Sequence, residues 1–155
     1  MELKKLDYTH AFGLFQLIKE IYEENPNATW FKSRPSWEMV EALIGYKIVK
    51  MKDKEVVDYV ALEDGSVVGE CEIVKDESGN GWVGIIVKDG FRNQGIGGAM
   101  LRKSIKSARR LGVKKIFAEV AQSNSAVEFF KKMGFKARGI ENKDRKKIVL
   151  LELSS

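Results

Sequence analysis

Along the first third of the chain the apolar positions keep helical time. Phe12, Phe15, Ile18, Ile21 and Tyr22 recur three and four residues apart, one face of an α-helix that Asp7 or Thr9 caps and Asn25-Pro26 ends. Leu3 to Leu6 before it reads as a short strand. Ser36 caps a second helix through Ile44, with Gly45 as its stop, and Tyr46 to Met51 carries no period that decides whether the helix goes on. From Val56 the pattern changes to β-branched runs: Val57 to Leu62, a turn at Asp64-Gly65, Val67 to Val74, a turn through Ser78 to Gly81, then Trp82 to Val87. Leu101, Ile105, Ala108 and Leu111 place one apolar face on a helix from about Gly98 to Leu111. Lys115 to Ala121 reads as a strand, Ser125 to Met133 as a helix closed by Gly134, and Phe135 to Ile140 with Lys147 to Leu153 as a last pair of strands. The expected order is β-α-α-β-β-β-α-β-α-β-β, an α/β fold with a mixed sheet of about seven strands and four helices on its faces.

No repeat, low-complexity segment or linker interrupts this order, so residues 1–155 are expected to form one domain. There is no apolar run long enough for a membrane span, and the amino terminus lacks the apolar stretch of a secretory signal. A cytoplasmic protein is expected, in keeping with Cys71 as the one cysteine. With His10 as the single histidine, the chain lacks the ligand sets of structural zinc and the histidine partner of a Ser-His or Cys-His nucleophile, so no metal is expected. The net charge of +5 favours an anionic partner.

The chemistry concentrates where the strand ending at Val87 runs through Lys88 to Phe91 into Arg92-Asn93-Gln94-Gly95-Ile96-Gly97-Gly98 and then directly into a helix. A turn without side-chain bulk lets backbone N–H groups converge, and the unpaired amides of a helix start add partial positive charge. That is a site for a phosphate or pyrophosphate. The loop lacks the Lys-Ser/Thr pair of a nucleotide P-loop, and Met100 stands where a dinucleotide fingerprint needs a small residue.

Arg92 to Gly97 resembles the Arg/Gln-x-x-Gly-x-Gly/Ala signature of the GNAT superfamily of N-acetyltransferases. Asn124-Ser125-Ala126 followed by Phe129 to Phe135 is similar to that family's second cofactor element, and the order of elements is similar over nearly the whole chain. The resemblance implies acetyl-CoA as co-substrate, with the backbone of Ile86 and Val87 meeting the pantetheine arm at a splay between two parallel strands. It implies that Arg92, Asn93, Gln94, Gly95, Ile96, Gly97 and Gly98 wrap the pyrophosphate, while Asn124, Phe129, Phe130 and Lys132 line the arm. The acceptor implied is an amine: a protein amino terminus, a lysine or a small amine.

An amine attacks a thioester only when neutral, and a lysine-like amine with a pKa of about 10.4 arrives protonated. Glu119, in a segment similar to the one bearing the proposed base of ribosomal-protein N-terminal acetyltransferases, is the first choice to take that proton. Glu70 and Glu72, on one face of their strand, come second, with exposed strand carboxylates as the plain alternative. Phe130 stands where the family often has a tyrosine as general acid. Trp30, Phe31 and Arg34 fall in the segment expected to cover the acceptor. The basic residues from Arg102 to Lys115 read as a solvated face rather than a nucleic-acid site, and neither nucleic acid nor membrane is expected as a partner. A monomer and a homodimer both fit. A non-catalytic acyl-CoA sensor is the alternative function, and a basic nucleic-acid-binding module a weaker one.

Overall fold

Each hairpin signal in the sequence closes a pair of antiparallel strands, and the glycine-rich loop is followed by the amphipathic helix expected there. A computed structural model describes residues 1–29 and 31–154. In chain order it contains β1 (Glu2–Lys5), α1 (Ala11–Glu24), α2 (Trp37–Lys52), β2 (Val56–Glu63), β3 (Ser66–Lys75), β4 (Gly81–Val87), α3 (Ile96–Arg110), β5 (Ile116–Ala121), α4 (Ala126–Lys132), β6 (Lys136–Lys143) and β7 (Lys146–Leu153), with short 3-10 turns at Tyr8–His10 and Pro26–Ala28. The strands form one seven-stranded sheet in the order β1-β2-β3-β4-β5-β7-β6. All neighbours are antiparallel except β4 and β5.

Asp7 is the cap at the start of the first helical segment, accepting from the Thr9 amide, while His10 Nδ1 accepts from the Asp7 amide. Asp64 and Gly65 both take positive φ, 50° and 80°, as a tight β2–β3 hairpin requires. Two helix boundaries differ from expectation by two residues or more. α3 starts at Ile96, so Gly97 and Gly98 belong to its first turn. α2 does not stop at Gly45 but runs to Lys52. Gly45 keeps an ordinary helical backbone, and a Cβ there would stand 3.2 Å from the Tyr8 hydroxyl. The glycine accommodates a neighbour instead of ending the helix.

The sheet separates two apolar cores. On one face α3 and α4 bury Met100, Leu101, Ile105 and Phe130 against Tyr59, Cys71, Ile73 and Ile116. On the other, α1 and α2 bury Leu14, Leu17, Val40 and Ile44 against Val60 and Val67. Strand alternation thus sends Tyr59, Cys71, Ile73 and Val83 to the first core and Val60 and Val67 to the second. Among the described residues no helix is long and apolar enough to cross a membrane.

Candidate active site

The loop from β4 to α3 is shaped by its backbone. Gly90, Asn93 and Gly95 take positive φ of 89°, 61° and 83°, which alternates the chain direction and turns successive amides inward. Gly95 occupies the N-cap of α3 without a side chain to cap it, and the first helical bond is from the Ala99 amide to the Gly95 carbonyl, 3.0 Å. The amides of Ile96, Gly97 and Gly98 therefore have no acceptor among the described residues, at the positive end of a fifteen-residue helix. Side chains brace this loop from outside: Gln94 Nε2 donates to the Gly90 carbonyl at 2.9 Å and Arg92 Nε to the Val87 carbonyl at 2.8 Å. The Arg92 guanidinium also grips the Glu24 carboxylate at 2.6 and 3.2 Å, which holds that carboxyl below its usual range. A Cβ on Gly97 would lie 3.4 Å from the Phe129 ring, so the loop packs closely against α4.

β4 and β5 pair only at Gly81–Ile116 and Trp82–Phe117, after which the ladder ends although both strands continue. Backbone groups from Val83 to Val87 along β4 thus lose their parallel partner at the end that leads into the glycine loop. Ile86 and Val87 are half-buried there. Across the gap, Asn124 Oδ1 accepts from the Ala126 amide at 2.9 Å, steadying the start of α4. Phe129 is half-buried and Lys132 exposed, whereas Phe130 is 3% exposed and wedged edge-on between Phe129 and Phe135. Phe130 is core in this arrangement.

The carboxylates singled out in the sequence gather on the face covered by α1 and α2. Glu70 and Glu72 lie opposite Ile86 and Gly84 of β4. The plain alternative of exposed strand carboxylates does not hold, since they are 7% and 8% exposed. The reason is Lys47 of α2, whose Nζ stands 2.9 Å from each glutamate and 3.1 Å from Asp58 of β2. Burial alone lowers the pKa of the Lys47 ammonium, but Glu70, Asp58 and Glu72 together outweigh it and hold the group well above its usual range. Burial pushes Asp58 well up, and the charge of Glu70 adds to that against the pull of Lys47. Burial likewise raises Glu72 over the attraction of Lys47. In Glu70 the balance reverses: burial raises it, yet Lys47 and a hydrogen bond from Asp58 bring it below the ordinary value. Neither Lys47 nor Asp58 stood out in the sequence.

Glu119 lies on the same sheet face across the gap, alternating with buried Ile116, Ala118 and Val120, beside Phe117, whose ring packs on Trp82 at 5.0 Å. Its carboxylate is held by Lys143 of the β6–β7 hairpin at 2.6 Å. Trp82, Glu119, Lys143 and Ile148 line a shallow cleft there. The tip of that hairpin also reaches the α1–α2 connection, where Lys146 donates to Asn27. Phe31 is half-buried against the α1–α2 core, and Arg34 is exposed and paired with Glu23 at 2.8 Å. Trp30 lies outside the described residues. A larger hollow of about 460 Å³, lined by Val127, Lys131, Ile140 and Val149, lies on the α4 side of the sheet, away from the carboxylates.

Comparison with known proteins agrees with this geometry. The ribosomal-protein-alanine N-acetyltransferase of Brucella melitensis superposes with a TM-score of 0.86 at 18% identity, covering 100% of both chains. The yncA protein of Salmonella typhimurium, solved with its cofactor acetyl-CoA, gives 0.84 at 16% identity over 99% of this chain and 93% of its own. The PaiA N-acetyltransferase of Thermoplasma acidophilum, in complex with coenzyme A, gives 0.75 at 19% identity over 99% and 98%. No curated protein sequence matches significantly. At such identities the superpositions speak for the fold. The model of the acetyltransferase (GNAT) family, however, matches residues 13–135, most of the chain and both expected cofactor elements, and the chain therefore belongs to the GNAT family of acetyltransferases.

Proposed function

We propose that the whole chain, as one acyltransferase unit, moves an acetyl group from acetyl-CoA to a primary amine. The observation that carries this reading is the end of the β4–β5 ladder after Trp82–Phe117, beside a loop whose helix-start amides have no internal acceptor. Those amides, from Gly95 to Gly98, suit the pyrophosphate, and the freed edge at Ile86 and Val87 suits the pantetheine arm. Asn124, just before α4, and Phe129 and Lys132 within it suit the other side of the arm. Arg92 and Gln94 serve by bracing the loop, and Asn93 by its left-handed turn. Two relatives solved with acetyl-CoA or coenzyme A support the choice of ligand.

In the transfer the nitrogen of the neutral amine bonds to the thioester carbonyl carbon, the carbon–sulfur bond breaks, and the nitrogen gives up one proton. We assign that proton to Glu72. It sits opposite Gly84 on the strand bordering the gap, burial raises its proton affinity above that of a free glutamate, and it is the least buried carboxylate on Lys47. Glu119 shares the face but is engaged by Lys143 at 2.6 Å, which suits it to shaping the acceptor cleft. With Phe130 in the core, the thiolate leaves as the anion, as a thiol of pKa about 8.5 permits. Phe31 and Arg34 remain on the acceptor side, with a protein amino terminus, a lysine and a small amine as candidate acceptors.

The test is acetyl transfer to a panel of amines by wild type, Glu72→Gln and Glu119→Gln. Loss of about a hundredfold in kcat for Glu72→Gln, with coenzyme A affinity retained, is expected. Coenzyme A binding without transfer to any acceptor would make the protein a sensor.

A further inference from the structure

Lys47 brings one positive charge to a buried cluster of three carboxylates, Asp58, Glu70 and Glu72. Full ionisation would leave two negative charges uncompensated between α2 and the sheet. The other groups packed there do not offset them: β4 places Gly84 and Ile86 opposite the two glutamates, and α1 presents Leu14, Leu17, Ile18 and Ile21. Retaining protons is far less costly than burying such charge.

The geometry says where the first proton resides. Asp58 is wholly buried, with Oδ2 accepting from Lys47 and Oδ1 lacking any donor among the described residues. An ionised carboxylate would leave the charge on Oδ1 unmet, whereas a carboxylic acid turns that group into a donor to a neighbouring carboxylate. Two carboxyls that share one proton beside a cation form a stable unit, which frees the third to titrate alone.

We propose that Asp58 is a neutral, proton-carrying positioning residue which, with Lys47, fixes Glu70 as an ionised anchor and leaves Glu72 as the one carboxylate that exchanges a proton during transfer. This rests on the reading of Glu72 as base. The charge of Lys47 draws the proton affinity of Glu72 down against the effect of burial. Asp58, being neutral, adds no further negative charge to raise it. The opposite displacements of Asp58 and Glu70 agree with a proton held on Asp58.

Infrared difference spectroscopy on the intact protein tests the proton directly. A neutral-carboxyl carbonyl stretch is expected at pH 7 in wild type and absent in Asp58→Asn. The pH dependence of kcat/KM provides the functional readout. Lys47→Met is expected to move the midpoint of the acid limb up by about one pH unit or more, a roughly tenfold loss below it. Asp58→Asn, which replaces one neutral group by another, is expected to leave that midpoint in place, and Lys47→Arg to restore it. Absence of the carbonyl band in wild type, or a downward move of the limb in Asp58→Asn, would overturn the proposal. Should Lys47→Met fail to fold, the band and the Asp58→Asn profile still decide it. Full transfer by Glu72→Gln would instead remove the base reading while leaving the band to report on Asp58.

Discussion

Asp58 and Glu70 show how little a residue's identity fixes its chemistry: two carboxyls on the same lysine are displaced in opposite directions, because burial and the charge of Glu70 raise Asp58 while the charge of Lys47 and the hydrogen bond with Asp58 lower Glu70. Cys71 follows the same physics. Burial, aggravated by the nearby carboxylates, raises its thiol far above the usual range. In the folded protein Cys71 is expected to resist maleimide labelling at pH 8 over hours and to react at once in denaturant; fast labelling of the native state would contradict its placement. Gly95 is constrained differently, by a φ of 83° with no neighbour near its missing Cβ. Gly95→Ala meets only backbone strain, of about 1 kcal/mol. The substitution is expected to lower thermal stability slightly and to weaken coenzyme A binding by about tenfold as the amides turn away. Unchanged affinity by calorimetry would remove this loop from the site.

At the scale of elements, two helix glycines are expected to respond with opposite signs. A Cβ on Gly13 of α1 would stand 2.8 Å from Val67 Cγ2, a buried β-branched side chain with no room to yield. Gly13→Ala should cost about 1 to 3 kcal/mol. A Cβ on Gly45 of α2 meets only the hydroxyl of Tyr8, which is 60% exposed and free to shift. Gly45→Ala should therefore retain most of alanine's helix advantage and stabilise by about 0.5 kcal/mol. Urea denaturation of both variants checks the pair, and equal signs would contradict the packing. Reading Gly45 as a stop in the sequence failed for a physical reason. A glycine needed for closeness looks the same as one needed for a left-handed turn, and α2 continues because Lys47 and Ile48 still have buried places to fill.

For the whole molecule, the legible features were those encoded locally: hairpin turns, the period of α1 and α3, and the glycine run that links β4 to α3. The acidic cluster was not local. Glu70 and Glu72 at alternate strand positions match a solvent-facing edge, and only packing brings Lys47, 23 residues before Glu70, onto that face. The parting of β4 from β5 is likewise a property of the assembled sheet, expected from the family resemblance and visible in the register.

On the reading proposed above, this parting and the helix-start amides beside it receive acetyl-CoA. Titration calorimetry of the purified chain with acetyl-CoA at tens of micromolar and low ionic strength, repeated with Gly95→Ala, tests it most directly. Saturable heat from one site is expected in the wild type and a clearly weaker isotherm in the variant. No heat from either protein, or equal isotherms from both, would contradict it.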